Sequence, residues 1–96
     1  MPEQKPQILL ADDEATFRET FTKVLEEEGF AVTAVCDGRE ATAAIMRQPY
    51  AVAILDIQMP GSDGISVLRE ITAIRPQTRT IMVTAYGTVE MAVEAI

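Results

Sequence analysis

The stretch LLADDEATF, residues 9–17, decides how the rest of the chain is read. With Ile8 it opens as a continuous apolar run, Ile8-Leu9-Leu10-Ala11, the pattern of a strand covered on both faces. The run stops at Asp12 and Asp13, and Glu14 follows. Apolar residues then return at helical spacing, as Phe17, Phe21, Val24 and Leu25, until Gly29 follows three glutamates as a helix stop. A strand feeds a helix, and negative charge gathers at the joint.

The same alternation continues to the last residue. Phe30 to Val35 reads as a second strand, and Ala41, Ala44 and Ile45 mark a short helix ending before Pro49. Tyr50 to Leu55 is an apolar strand running into Asp56. Ile65, Leu68, Ile71 and Ile74 give a third helical stripe, closed by Arg75 and Pro76. Thr80 to Thr84 is a fourth strand, and Val89, Ala92, Val93 and Ile96 begin a fourth helix. Such strand–helix units predict an α/β fold, a doubly wound open parallel sheet with helices on both faces. Residues 1–96 form one domain without repeat or linker. The last apolar stripe reaches Ile96 uncapped, so the expectation is a domain incomplete at its C-terminus, with another strand to follow.

Composition narrows the function. An apolar fraction of 48% in 96 residues is enough for one small core. No run approaches the roughly 20 apolar residues of a membrane span, and MPEQKPQ lacks the order of a signal peptide. A cytoplasmic protein with no membrane contact is expected. The single cysteine, Cys36, excludes an internal disulfide and reads as a small buried hydrophobe. The absence of histidine removes the usual zinc sites and both Ser-His-Asp and Cys-His catalysis. A net charge of -7 argues against nucleic acid as a partner of this segment. Neither nucleotide-binding glycine pattern is present.

In parallel open sheets the ligand site lies beyond the carboxyl ends of the strands. Asp12 and Asp13 follow the first strand, Asp56 ends the third and Thr84 ends the fourth, so all four are expected at one edge. Three converging carboxylates repel one another unless a positive charge sits between them. A hard divalent ion suits oxygen ligands, and Mg2+ fits two carboxylates together with phosphate oxygens; Mn2+ would serve similarly. Asp56, at the end of an apolar strand, is the best-placed nucleophile for a phosphoryl group. Thr84 offers a hydroxyl and Ala85 a backbone N–H to a phosphoryl oxygen.

The stretches LLADDE, LDIQMPGSDGISVL and MVTAYGT resemble, in order and spacing, the three site motifs of the response-regulator receiver domain of two-component signalling. The resemblance runs from Ile8 to Ile96 and implies a flavodoxin-like receiver fold, strand order 2-1-3-4, with the fifth strand and fifth helix absent. It implies a signalling phosphoacceptor, not a turnover enzyme, with Asp56 phosphorylated by a sensor histidine kinase. Asp13 and the backbone carbonyl of Gln58 would be direct metal ligands, and Asp12 would hold the ion mostly through water. Thr84 would be the switch hydroxyl, and Ala85 the residue whose amide touches the phosphoryl group. Met59, Pro60, Gly61, Asp63 and Gly64 match the turn opening the third helix, while Gln58 and Tyr86 sit where the family tunes dephosphorylation. The run AYGTVEMAVEAI resembles receivers of activators that work with an alternative sigma factor, which implies an output domain acting on transcription. The family's lysine and aromatic switch residue would fall beyond Ile96.

Simpler roles stand beside these. Asp12 could cap the first helix, and Asp63-Gly64 reads as turn chemistry. An aspartate-nucleophile phosphatase would need a D-x-D pair, and Gln58 replaces its second acid. The remaining alternative is a phosphorylation-independent interaction module, or a fragment that associates with itself through an open strand edge.

Overall fold

The computed structural model describes residues 5–59 and 62–83. Readings that rest on Pro60, Gly61, Thr84, Ala85, Tyr86 and the fourth helix lie outside these residues. The elements run β1 (Gln7–Ala11), α1 (Ala15–Glu27), β2 (Ala31–Val35), α2 (Gly38–Arg47), β3 (Val52–Asp56), β4 (Gln58–Met59), β5 (Ser62–Asp63), α3 (Gly64–Ile74) and β6 (Arg79–Val83). Four strands form one parallel sheet in the order β2-β1-β3-β6. With β6 as the fourth of the expected strands, this is the order anticipated. The ladder β4–β5 is a separate antiparallel pair, pairing Gln58 with Asp63, where the sequence predicts only a turn.

Two apolar layers hold the sheet. On one face Leu9, Ala11, Ala53 and Leu55 pack with Ala41, Ala44 and Ile45 of α2 and Val67, Leu68 and Ile71 of α3. On the other, Ile8, Leu10 and Ile54 meet Phe21 and Leu25 of α1. The central strands β1 and β3 are therefore covered on both sides, which is why their apolar runs are continuous rather than alternating. Burying each such leucine or isoleucine contributes about 1.5–3 kcal/mol, an upper value given residual burial in unfolded chains.

The structure adjusts several boundaries. Tyr50 is not in β3; it is buried ahead of the strand, and its carbonyl accepts the Thr78 hydroxyl at 2.7 Å. Strand β3 starts at Val52 and extends to Asp56 itself. The stripe of α1 is only partly covered, Phe17 being 40% and Val24 48% exposed, because α1 lies mainly over β1 and β2, toward one side of the sheet. Gly29 takes φ 95°, a left-handed conformation that suits glycine, and so ends that helix. Cys36, expected to be buried, is exposed: it lies one residue past β2, in the turn that opens α2. No helix among the described residues is long and apolar enough to cross a membrane.

Candidate functional site

The ladder continues one residue beyond the strand ends, and this places the acids. Asp12 N–H donates to the Val35 carbonyl at 3.1 Å, and Ile57 N–H donates to the Val83 carbonyl at 2.9 Å. Asp12 is buried at the end of β1, Asp56 is half-buried at the end of β3, and Asp13 is exposed between them and solvent. One carboxylate oxygen from each of Asp12, Asp13 and Asp56 lies within 4.8 Å of the other two. The three acids expected to converge are thus brought together at the carboxyl edge of the sheet.

Local bonds orient each side chain. Asp12 Oδ1 accepts the Glu14 N–H at 2.8 Å, and the Asp12 carbonyl accepts Arg18 Nη1 at 2.8 Å. The cap of α1 is not Asp12 but Glu14, whose two carboxylate oxygens accept the N–H groups of Thr16 and Phe17 at 3.1 and 2.8 Å. The physical reason is position: Asp12 still belongs to the ladder, two residues before the cap Glu14, and its side chain bonds the Glu14 N–H instead of the first-turn donors. Asp56 Oδ1 accepts the N–H of Gln58 at 3.0 Å. Asp63, read as turn chemistry, also caps α3 through Ile65 N–H at 2.8 Å.

Gly64 has a sharper role than turn formation. Its N–H donates to the Ile57 carbonyl at 2.9 Å. A Cβ there would overlap the Asp56 carbonyl oxygen and come 2.8 Å from Ile57 Cα. Only a residue without a side chain lets α3 start against the backbone of Asp56 and Ile57.

Burial pushes the Asp56 carboxyl above its ordinary value; the Gln58 N–H opposes this, while repulsion from Asp12 and Asp13 and a hydrogen bond shared with Asp13 add to it. Such a carboxylate lacks compensating positive charge, and a divalent cation liganded by oxygens would supply it. The residues present therefore fit Mg2+.

A second group, Cys36, Asp37 and Glu40, also brings ligand atoms together, but its bonds account for it. Asp37 caps α2 by accepting Glu40 N–H at 2.8 Å, and Glu40 reaches back to Cys36 N–H at 3.0 Å, a reciprocal capping arrangement. The Cys36 thiol, 3.4 Å from Glu40 Oε1, is pushed up by that bond.

Two participants escape sequence reading. Glu14 is a rare capping type, and its acidity among neighbouring acids hid the role. Arg18 bonds a backbone carbonyl six residues back, across a loop, where no periodicity announces it.

Residues 8–96 match the family described as the response regulator receiver domain. The chain is 37% identical, over 95% of its length, to the C4-dicarboxylate transport transcriptional regulatory protein DctD of Rhizobium meliloti. It is 41% identical, over 83% of its length, to the transcriptional regulatory protein ResD of Bacillus subtilis. It spans 20% of the first relative and 33% of the second. Among solved structures, the response regulator TrrA of Thermotoga maritima in complex with Mg2+ and BeF superposes with a TM-score of 0.84 at 34% identity, covering 96% of this chain and 81% of that one. A response regulator from Burkholderia pseudomallei with a phosphorylated aspartic acid and a calcium ion gives a TM-score of 0.85 at 25% identity, covering 96% of this chain and 54% of that one.

Proposed function

We propose, for a chain that belongs to the response regulator receiver domain family, that Asp56 accepts a phosphoryl group from a sensor histidine kinase. The observation that carries this is the convergence of Asp12, Asp13 and Asp56 within 4.8 Å, with Asp56 fixed at the end of a central strand. In the transfer, an unprotonated Asp56 carboxylate oxygen attacks phosphorus. The bond from phosphorus to the kinase imidazole nitrogen breaks, that nitrogen keeps the electron pair, and an acyl phosphate remains on Asp56.

Attack needs Asp56 free of its proton, whereas burial and its neighbours favour keeping it. A bound Mg2+, or Mn2+ in its place, would be held by Asp12, Asp13, Asp56 and the Gln58 carbonyl, and would supply the neutralising charge for this chemistry. The Gln58 N–H holds one Asp56 oxygen, leaving the other to react. By likeness to the family, the Thr84 hydroxyl and the Ala85 amide receive the phosphoryl oxygens and pass the change onward.

The chain's relatives are transcriptional regulators several times its length, and the reading extended to this protein is a cytoplasmic receiver module whose state controls an output domain acting on transcription. The sigma-factor subfamily belongs to the same reading. The test is incubation with a small acyl phosphate donor and Mg2+, followed by intact mass measurement. One phosphoryl mass is expected on the wild type, none on Asp56→Asn, and none after chelation. An equal adduct on Asp56→Asn would overturn the assignment.

A further inference from the structure

Asp12 is held from three directions, and the third hold comes from a residue outside the acidic cluster. Its N–H is fixed by Val35 in the ladder, its Oδ1 by the Glu14 N–H, and its carbonyl by Arg18 Nη1 at 2.8 Å. The first bond is the ladder to the neighbouring strand β2, and the second lies within the loop that follows β1. Arg18 instead belongs to the body of α1, and its own N–H donates to the Glu14 carbonyl at 3.0 Å as part of the helix. The guanidinium therefore ties the helix back onto the loop it leaves, closing the segment from Asp12 to Arg18 into a ring.

We infer that Arg18 is a positioning residue for the cation site, clamping Asp12 so that its carboxylate stays aimed at Asp13 and Asp56. The inference rests on the metal-binding part of the proposed function. Without the clamp, the Asp12 carbonyl and the turn to Glu14 are free to rotate about the remaining bonds, and the cluster loses its preset geometry. Partners that orient metal ligands in this way typically contribute about 10- to 100-fold in metal affinity. The charge of Arg18 acts in the opposite sense, since a cation beside a cation site weakens binding. Here the guanidinium bonds the neutral backbone carbonyl of Asp12 and not its carboxylate, so the clamp is expected to outweigh the charge.

The two effects separate by substitution. Arg18→Ala removes clamp and charge, Arg18→Gln removes the charge but keeps an amide N–H donor group, and Arg18→Lys keeps the charge on a single donor nitrogen. Two readouts are needed on the metal-free and metal-titrated chain: solvent exchange of the Glu14 amide by NMR, and the Mg2+ dissociation constant by calorimetry. Urea midpoints and circular dichroism identify any variant that has lost the fold. Positioning predicts that Arg18→Ala exchanges the Glu14 amide several-fold faster and binds Mg2+ about tenfold more weakly, with Arg18→Lys in between.

Unchanged Glu14 exchange in folded Arg18→Ala would overturn the inference, as would faster exchange with unaltered Mg2+ affinity. Tighter Mg2+ binding by both Arg18→Ala and Arg18→Gln would also overturn it, leaving charge alone. If the wild type binds no Mg2+ at millimolar concentration, the metal site and this inference fall together. Failure of Asp56 phosphorylation with intact Mg2+ binding removes only the phosphoacceptor reading.

Discussion

Replacing Asp56 with asparagine should make the metal-free protein more stable while removing its chemistry. Asparagine keeps the shape and an oxygen to accept the Gln58 N–H, so the 3.0 Å bond survives. What disappears is one negative charge within 4.8 Å of two others. At that separation a pair of unit charges costs about 0.9 kcal/mol at an effective dielectric of 80 and about 1.7 kcal/mol at 40, so two neighbours give roughly 2–3.5 kcal/mol. Asp13 is exposed and Asp56 only half-buried, so solvent screening reduces this to about 1–2 kcal/mol.

The pH dependence fixes the sign. The folded carboxyl of Asp56 is raised above its ordinary value, so the native state holds this proton more tightly than the unfolded chain does. Its contribution is fully present below the unfolded value of about 3.9 and is lost as pH rises through the folded value. The advantage of Asp56→Asn must therefore vanish near pH 3 and be complete at pH 8. Urea denaturation in EDTA should show it, and thermal unfolding should shift upward by roughly 4–16 °C for a domain of this size. Added salt should shrink the difference. Saturating Mg2+ should narrow or reverse it, because the wild type gains more from binding. If Asp56→Asn is no more stable than wild type at pH 8 in EDTA and low salt, the picture of three uncompensated charges is wrong.

Gly64→Ala should destabilise by about 1–3 kcal/mol, toward the upper end because the new Cβ meets backbone atoms of Asp56 and Ile57, and should weaken Mg2+ binding in parallel; denaturation and calorimetry report both. Asp63→Ala removes the cap on Ile65 N–H and should cost about 0.5–2 kcal/mol by urea midpoint. Alkylation of Cys36 at pH 8 should be slower than that of an ordinary exposed cysteine, and Glu40→Gln should speed it, since the bond to Glu40 is the main cause of the raised thiol.

The parts of this fold that could be read from residues are those where periodicity carries the signal. Continuous apolar runs at Ile8 to Ala11 and Tyr50 to Leu55 mark the doubly covered strands, although the second run starts two residues ahead of β3, and the strand-end acids follow from where those runs stop. Asp12, Asp13 and Asp56 converge because a parallel sheet puts all its carboxyl ends on one edge, a rule of topology and not of local sequence. What escaped reading depends on spatial neighbours. Cys36 is of a type that is usually buried, yet its turn position leaves it exposed. Phe17 and Val24 match a helical stripe, but a stripe does not say how much of the helix the sheet will cover. The capping by Glu14 and the Arg18 bond are set by loop conformation, and the tight fit of Gly64 becomes visible only when α3 is placed against β3.

The ladder bonds that run past the strand ends also say where this chain tolerates a change in length. The connections 28–30, 48–51 and 75–78 enter the sheet at the edge opposite the acids, and bonds such as Ala51 N–H to the Gln7 carbonyl at 2.8 Å tie them there. Residues added to those connections leave the register of Ala11 with Leu55, and of Asp56 with Val83, as it was. A single residue added inside β1 or β3 would instead carry its acid to the opposite face of the sheet. Insertions and deletions among proteins sharing this site should therefore collect at the far edge and in the helices, while the count of residues from strand entry to acid stays constant.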